Sequence, residues 1–191
     1  GTSSNNTDPS VLYGKSGNYK VELTATTANG CTDVTSSTIT VNALPDVSFT
    51  AADICLSEDL RTVNNTTGAS SYAWTFGDGN SSSATAPIHT YTSNGTYTIE
   101  LTATSSKSCV SSTSMDINAY AVPEVTFTAT DVCFGLNTDF SNTSKIAAGT
   151  MTYVWDLGDG STTGNPSPSY AYAKDGNYAI KLVATSNQGC K

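Results

Sequence analysis

Apolar and polar residues alternate strictly along Tyr97-Thr98-Ile99-Glu100-Leu101-Thr102-Ala103-Thr104. A period of two puts Tyr97, Ile99, Leu101 and Ala103 on one face and predicts an antiparallel strand with one wet side. The same register occurs as Tyr19/Val21/Leu23/Ala25 and as Tyr178/Ile180/Leu182/Ala184. Each copy follows a turn glycine, Gly17, Gly95 or Gly176, whose tolerance of unusual backbone angles suits a tight reversal. Further strands are expected over 46–51 and 124–129, over 71–76 and 152–157, and over 110–118 and 33–41. No window shows a period of 3.6, and β-branched threonine with glycine and asparagine disfavours helix. Roughly seven short strands in about 80 residues predict an all-β chain of small β-sandwiches.

The pattern is repeated. Trp74-Thr75-Phe76-Gly77-Asp78-Gly79 returns as Trp155-Asp156-Leu157-Gly158-Asp159-Gly160. Tyr19, Tyr97 and Tyr178 recur at the same spacing as Cys31, Cys109 and Cys190, while Pro45 and Cys55 return as Pro123 and Cys133. A near-constant period of this kind marks an array of units. It divides the chain into the C-terminal part of one repeat (1–44), a complete repeat (45–122) and a repeat without its last strand (123–191), so both ends are expected to fall inside repeats of a longer polymer. The junctions around Pro45 and Pro123 are short, and proline stiffens them, which predicts sandwiches arranged end to end as a rod.

Composition narrows the function classes. Of the 191 residues 37% are hydrophobic and 13% charged, and the formal net charge is −8. Eight scattered Lys and Arg cannot form the basic stripe that nucleic acid or an anionic membrane surface requires, so neither is an expected partner. No apolar stretch approaches the roughly 20 residues of a bilayer span. The expected partners are the neighbouring repeats, with any polysaccharide or protein ligand held elsewhere in the parent.

The odd cysteine count is resolved by the repeat. Each unit has an early and a late cysteine, which predicts disulfides Cys55–Cys109 and Cys133–Cys190 and pairs Cys31 with a residue before position 1. Each bond would close a loop of about 55 residues and remove roughly 4 kcal/mol of unfolded-state entropy. Disulfides also imply an oxidising compartment. Buried reduced cysteines are the alternative; a metal centre is disfavoured, because there is no Cys-x-x-Cys and His89 is the sole histidine.

Three ordered motifs carry a family resemblance. The Trp74–Gly79 segment, then Pro87-Ile88-His89-Thr90-Tyr91, then Gly95-Thr96-Tyr97-Thr98-Ile99-Glu100-Leu101 closely resemble the PKD (polycystic kidney disease) domain. The third repeat keeps the motifs, with Leu157 for Phe and Tyr170 for His, and the first keeps Pro9, Tyr13, Gly17 and Tyr19. The resemblance implies an immunoglobulin-like sandwich and an extracellular setting. The cysteine placement, with Asn29-Gly30-Cys31 and Gln188-Gly189-Cys190, is similar to PKD repeats of large bacterial surface proteins, including adhesins of gliding bacteria. That implies a non-catalytic stalk; the alternative is an accessory binding module of a secreted polysaccharide- or protein-degrading enzyme.

Candidate sites follow from the motifs. Asp78 and Asp159, between glycines, are weak calcium candidates, because one carboxylate per turn falls short of the 6 to 8 oxygens calcium takes; bonding to turn backbone is the expected role, with Gly77, Gly79, Gly158 and Gly160 at positive φ. Trp74 and Trp155, with Phe76 or Leu157 two residues on, are expected in the core rather than as sugar platforms. Tyr72 and Tyr153 should share that side, and Tyr97 and Tyr178 belong to the inward strand face. No cofactor is expected. Catalysis is not expected either, since His89 has Val11 and Tyr170 as its counterparts. Asn64, Asn65, Asn80, Asn94 and Asn142 begin Asn-x-Ser/Thr sequences that could accept N-glycans in a suitable host.

Overall fold

The computed structural model describes residues 1–191 and contains strands without a helix. The first repeat supplies one hairpin, β1 (Gly17–Thr26) and β2 (Thr32–Val41). The second supplies β3 (Phe49–Thr50), β4 (Ile54–Cys55), β5 (Leu60–Arg61), β6 (Val63–Asn64), β7 (Ser71–Thr75), β8 (Ser81–Ser82), β9 (Ile88–His89), β10 (Gly95–Thr104) and β11 (Val110–Tyr120). The third supplies β12 (Phe127–Ala129), β13 (Asn137–Asn142), β14 (Met151–Asp156), β15 (Thr162–Thr163), β16 (Ser169–Ala171) and β17 (Lys181–Ser186).

In the second repeat one layer has the order β4-β11-β10-β7-β8, and the pairs β3-β6 and β5-β9 form the other. The alternation seen in the sequence decides what lies between them. Ile99, Leu101 and Ala103 of β10 are buried, and so are Trp74, Phe76, Ile117 and, from the opposite layer, Phe49 and Leu60. Fully burying aliphatic or aromatic side chains contributes about 1.5–3 kcal/mol each, so this cluster holds the two layers together. The third repeat builds a smaller version around Phe140, Trp155, Leu157 and Leu182. Equivalent bridges, Asp46↔Thr67 and Glu124↔Lys145, and equivalent pairs, Phe49↔Asn64 and Phe127↔Asn142, carry the period of the sequence into the fold.

Strand register gives each sandwich two poles. β10 runs from the pair Gly95↔Ala119 to the pair Thr104↔Val110. The far end of β10 lies beside the repeat's entry, where Ser70 donates to the Thr104 carbonyl at 2.8 Å. The near end lies beside its exit, because β11 finishes at Tyr120 and leads directly into the next repeat. Ten residues of strand, at about 3.3 Å each, separate the poles by roughly 33 Å.

Two departures from expectation share one cause. Val21, Leu23, Val34 and Ile39 of the first hairpin are exposed rather than half-buried, because β1 pairs only with β2 and no second layer of this chain lies against it. In the third repeat the strand anticipated from Tyr178 begins at Lys181. Its counterpart, Glu100, is where β10 first meets β7; residues 95–99 pair with β11 alone. Without an equivalent of β11, Tyr178, Ala179 and Ile180 have no ladder to join.

Candidate functional site

The Gly-Asp-Gly turns are structural centres. Gly77 and Gly158 both have φ of 80°, and a Cβ on Gly77 would lie 2.9 Å from the Thr98 carbonyl oxygen, while one on Gly158 would lie 2.8 Å from the Ala179 nitrogen and oxygen. Both backbone angle and close approach therefore demand glycine. Gly79 and Gly160 also have positive φ, 91° and 93°, with open space around them. Between the glycines, Asp78 Oδ1 accepts the Asn80 backbone N–H at 3.0 Å, and Asp159 Oδ1 accepts that of Ser161 at 2.9 Å.

The second carboxylate oxygen is also engaged. Asp78 Oδ2 accepts the Asn80 amide at 2.9 Å and lies 2.8 Å from His89 Nε2; Asp159 Oδ2 accepts the Tyr170 hydroxyl at 2.9 Å. Histidine and tyrosine thus supply the same donor in the two copies, which explains a substitution that the motif alone leaves unexplained. Burial pushes the Asp78 carboxyl up, but the bonds from Asn80 and His89 outweigh it and hold its pKa below the ordinary value. Asp159 is held low chiefly by the Ser161 N–H. Carboxylates occupied on both oxygens are poor chelators, and no cluster of three His, Cys, Asp or Glu side chains forms around either turn.

Aromatic packing anchors these turns to the core. Trp74 and Trp155 are fully buried and donate their indole N–H to the carbonyls of Ala84 (2.9 Å) and Pro166 (3.3 Å). His89 stacks on Phe76 with centroids 4.1 Å apart. Tyr91 donates to the Phe76 carbonyl at 2.8 Å and Tyr172 to that of Leu157 at 2.9 Å. Burial first, then the nearby Asp78 charge, pushes the Tyr91 hydroxyl up to about 12. Tyr97 stacks on Tyr91 and Tyr178 on Tyr172, each at 3.9 Å. Tyr72 and Tyr153 pack against the two cores and form no exposed row. Among the Asn-x-Ser/Thr positions, Asn64 donates its side-chain amide to the Thr85 carbonyl at 2.8 Å; Asn65 and Asn80 are exposed, and Asn94 and Asn142 half-buried.

The cysteines overturn an expectation. The disulfide in the structure is Cys55–Cys190, with Cα atoms 5.7 Å apart, and Cys31, Cys109 and Cys133 are free. Neither Cys55–Cys109 nor Cys133–Cys190 forms, because the early and late cysteines of one repeat sit at opposite poles. Cys55 pairs in register with Tyr120 at the exit, whereas Cys109 precedes Val110 at the entry; the length of β11 separates them where a disulfide tolerates a Cα separation of about 4.4–6.8 Å. Exit meets entry only across a junction. There Cys55, from the second repeat, reaches Cys190, from the third.

Both cysteine sites are preformed turns. Ser186 accepts the Cys190 N–H on its Oγ at 3.0 Å and donates its own N–H to the Cys190 carbonyl at 2.9 Å. Cys109 makes the same pair of bonds with Ser105, and Cys31 with Thr27. On the early side, Glu58 N–H donates to the Cys55 carbonyl at 3.0 Å and Leu136 N–H to that of Cys133 at 3.1 Å. Asp53 fixes the exit pole: it accepts from the Asn118 backbone N–H and the Tyr120 hydroxyl, both at 2.7 Å. These bonds, Tyr120 foremost, hold its pKa low. The sequence motifs do not single this residue out, although Asp131 is its counterpart in the third repeat. A cavity of about 220 Å³ lies at the same junction, lined by Asn94, Tyr120, Gly149 and Asn187 among others.

Comparison with known proteins agrees with the motifs. A 56-residue stretch is 36% identical to the pre-pro-metalloprotease PrtV of Vibrio cholerae, covering 29% of this chain and 6% of that protein. Among solved structures, the PKD1 domain of Vibrio anguillarum Epp is 32% identical, covering 41% of this chain and 96% of that one, with a TM-score of 0.39. The PKD1 domain of the V. cholerae metalloprotease PrtV is 27% identical, with 40% and 98% coverage and a TM-score of 0.37. The PKD domain family model matches residues 40–119 and again 120–191, so the chain belongs to the PKD domain family, as immunoglobulin-like modules in tandem.

Proposed function

We propose that these modules are a non-catalytic stalk segment of a long extracellular, cell-surface protein of the adhesin type, of the kind that gliding bacteria display. The observation that carries this reading is the Cys55–Cys190 bond. It places a covalent link on the relation between two repeats rather than on either repeat's own fold. That is useful where orientation must persist along an array and of little use to a module acting alone. An oxidising compartment follows from the bond. A net charge of −8 with eight dispersed cations keeps such a rod solvated. The Trp, Asp and His side chains of the motifs are taken up by core and turn, which supports a reading in which a surface polysaccharide or protein ligand is held by another part of the parent. The motility role is the narrowest part of the proposal and rests on the cysteine arrangement alone.

The second reading is an accessory module of a secreted hydrolase, favoured by the 36% identity to part of a metalloprotease. Antibodies raised against the folded chain distinguish the two. Labelling of intact source cells, lost after external protease treatment, is the outcome expected for a stalk. Antigen found solely in the medium, in one polypeptide with a catalytic domain, selects the second reading.

A further inference from the structure

We propose that Cys133 and Cys109 are inter-repeat disulfide sites. Cys133 takes the late cysteine of a repeat that follows, and Cys109 takes the early cysteine of a repeat that precedes. The bonded pair supplies the rule. Cys55, in the exit turn, is joined to Cys190, in the entry turn of the next repeat. Cys133 occupies the same exit turn as Cys55, with the left-handed residue Gly135 (φ 88°) where Ser57 (φ 76°) stands. Cys109 occupies the same entry turn as Cys190, with Ser108 (φ 61°) where Gly189 (φ 87°) stands. Retention of a left-handed serine at both Ser57 and Ser108, at a strain cost that glycine avoids, marks these turns as fixed in shape. Cys133 is exposed and Cys109 partly so, and neither has a partner within its own repeat.

Formation needs an oxidant, which is a small-molecule disulfide such as oxidised glutathione. One cysteine thiolate attacks a glutathione sulfur, giving a mixed disulfide and expelling a glutathione thiolate. The second cysteine, deprotonated, attacks the protein sulfur of that mixed disulfide and expels the other glutathione. The protein loses two protons and two electrons, and the oxidant is reduced to two thiols.

The bonds would run as continuous cables. The chain from Cys31 to Cys55 is as long as the chain from Cys109 to Cys133. The second of these segments contains β11, the Pro123 junction and β12, and it passes from the entry of one repeat to the exit of the next. At about 3.3 Å per residue its contour is roughly 80 Å, already extended over two repeats. Each bond then hands the load to another such segment, so an array is spanned by two interleaved covalent paths with little slack. This inference rests on the chain being part of a longer array, and its test is independent of where that array resides.

The full chain extended at Lys191, which holds the position of Val110, by a second copy of residues 111–191 supplies both an equivalent of β11 and a further entry turn. Refolded with reduced and oxidised glutathione and mapped by peptide mass spectrometry, it should retain Cys55–Cys190. It should also gain one crosslink joining a Cys133 peptide to a second Cys190 peptide, with loss of two hydrogens, so that of the two Cys133-type thiols only that of the added copy remains open to alkylation. The full chain preceded at Gly1 by a copy of residues 45–78 tests Cys109 separately and should link it to the added early cysteine. The retained Cys55–Cys190 bond reports native folding in both. Native folding with Cys133 and Cys109 still open to alkylation, or bonded to other cysteines, overturns the proposal, and failure of one extension to fold leaves the other to decide it.

Discussion

The second and third repeats share their motifs and differ in the last strand, β11, and in the short β4 that pairs with it. In the second, β11 lies along β10, and Ile54 and Leu56 of the early-cysteine loop pack against a core that includes Ile117 and Ala119 of β11. In the third nothing occupies that place. Val132, Phe134 and Leu136, the counterparts of the loop, are 41%, 68% and 60% exposed, and they border an open groove with Tyr178 and Ile180. Trp155 is nonetheless as fully buried as Trp74. The central tryptophan, the Gly-Asp-Gly turn and the tyrosine pair therefore assemble without the last strand; what that strand completes is the exit pole and the cysteine loop upon it.

The two repeats should part most clearly when the bond that ties them together is cut. On the chain-entropy model a loop spanning the 135-residue separation of Cys55 and Cys190 is worth about 5 kcal/mol. Cys55→Ser should split one cooperative denaturation transition into two, with the third repeat melting first. In single-molecule pulling, oxidised protein should release the chain outside the loop, and reductant should add the contour of the loop itself; equal gains in both conditions would remove the disulfide from the load path.

Trp74→Ala and Trp155→Ala should each cost about 3–5 kcal/mol in chemical denaturation. The higher value is expected for Trp74, whose closed surroundings cannot collapse into the cavity. Gly77→Ala and Gly158→Ala extend the contrast to the turns. The first Cβ meets Thr98, held in register opposite Asp116, and the second meets Ala179, which no strand holds. We expect a cost of about 2–3 kcal/mol for Gly77→Ala and roughly 1 kcal/mol less for Gly158→Ala, since strain is relieved where the backbone can shift. Equal costs would show that the open edge is as rigid as the closed one.

The smallest effect is on acid stability. Asp53, Asp78 and Asp159 have folded pKa values below their ordinary 3.8, so their stabilisation is fully present above that value and fades as the pH falls through the lowered ones. Asp78→Asn and Asp159→Asn should flatten the decline of stability below about pH 4, measured by urea denaturation at a series of pH values. Asp53→Asn should do so for the second repeat alone, since Asp131 has no last strand to bind.

Much of this was legible because it is local. The strict alternation from Tyr97 to Ala103 specifies an inward face, the Trp74/Phe76 spacing puts both rings on it, and glycine at positions 77 and 158 signals turns that nothing else fits. The disulfide was not legible from the period. A repeat states which cysteines are equivalent, but not at which end of a strand each one sits; that depends on the register Gly95↔Ala119 and on Cys55 lying beside Tyr120. The clamp of Asp53 on Asn118 and Tyr120 joins residues 65 and 67 positions apart and leaves no pattern in either segment. Exposure of Val21 and Leu23 was hidden for a related reason, since alternation shows which face seeks cover and not whether cover is present.

The Cys55–Cys190 bond also bears on damage. It encloses every residue from Leu56 to Gly189, which includes most of the exposed turns around both cores. A protease that nicks the backbone once anywhere in that span produces no separate fragments, because the two pieces stay joined through sulfur. Severing the molecule there takes a cut and a reducing agent together, and outside cells those two insults rarely coincide.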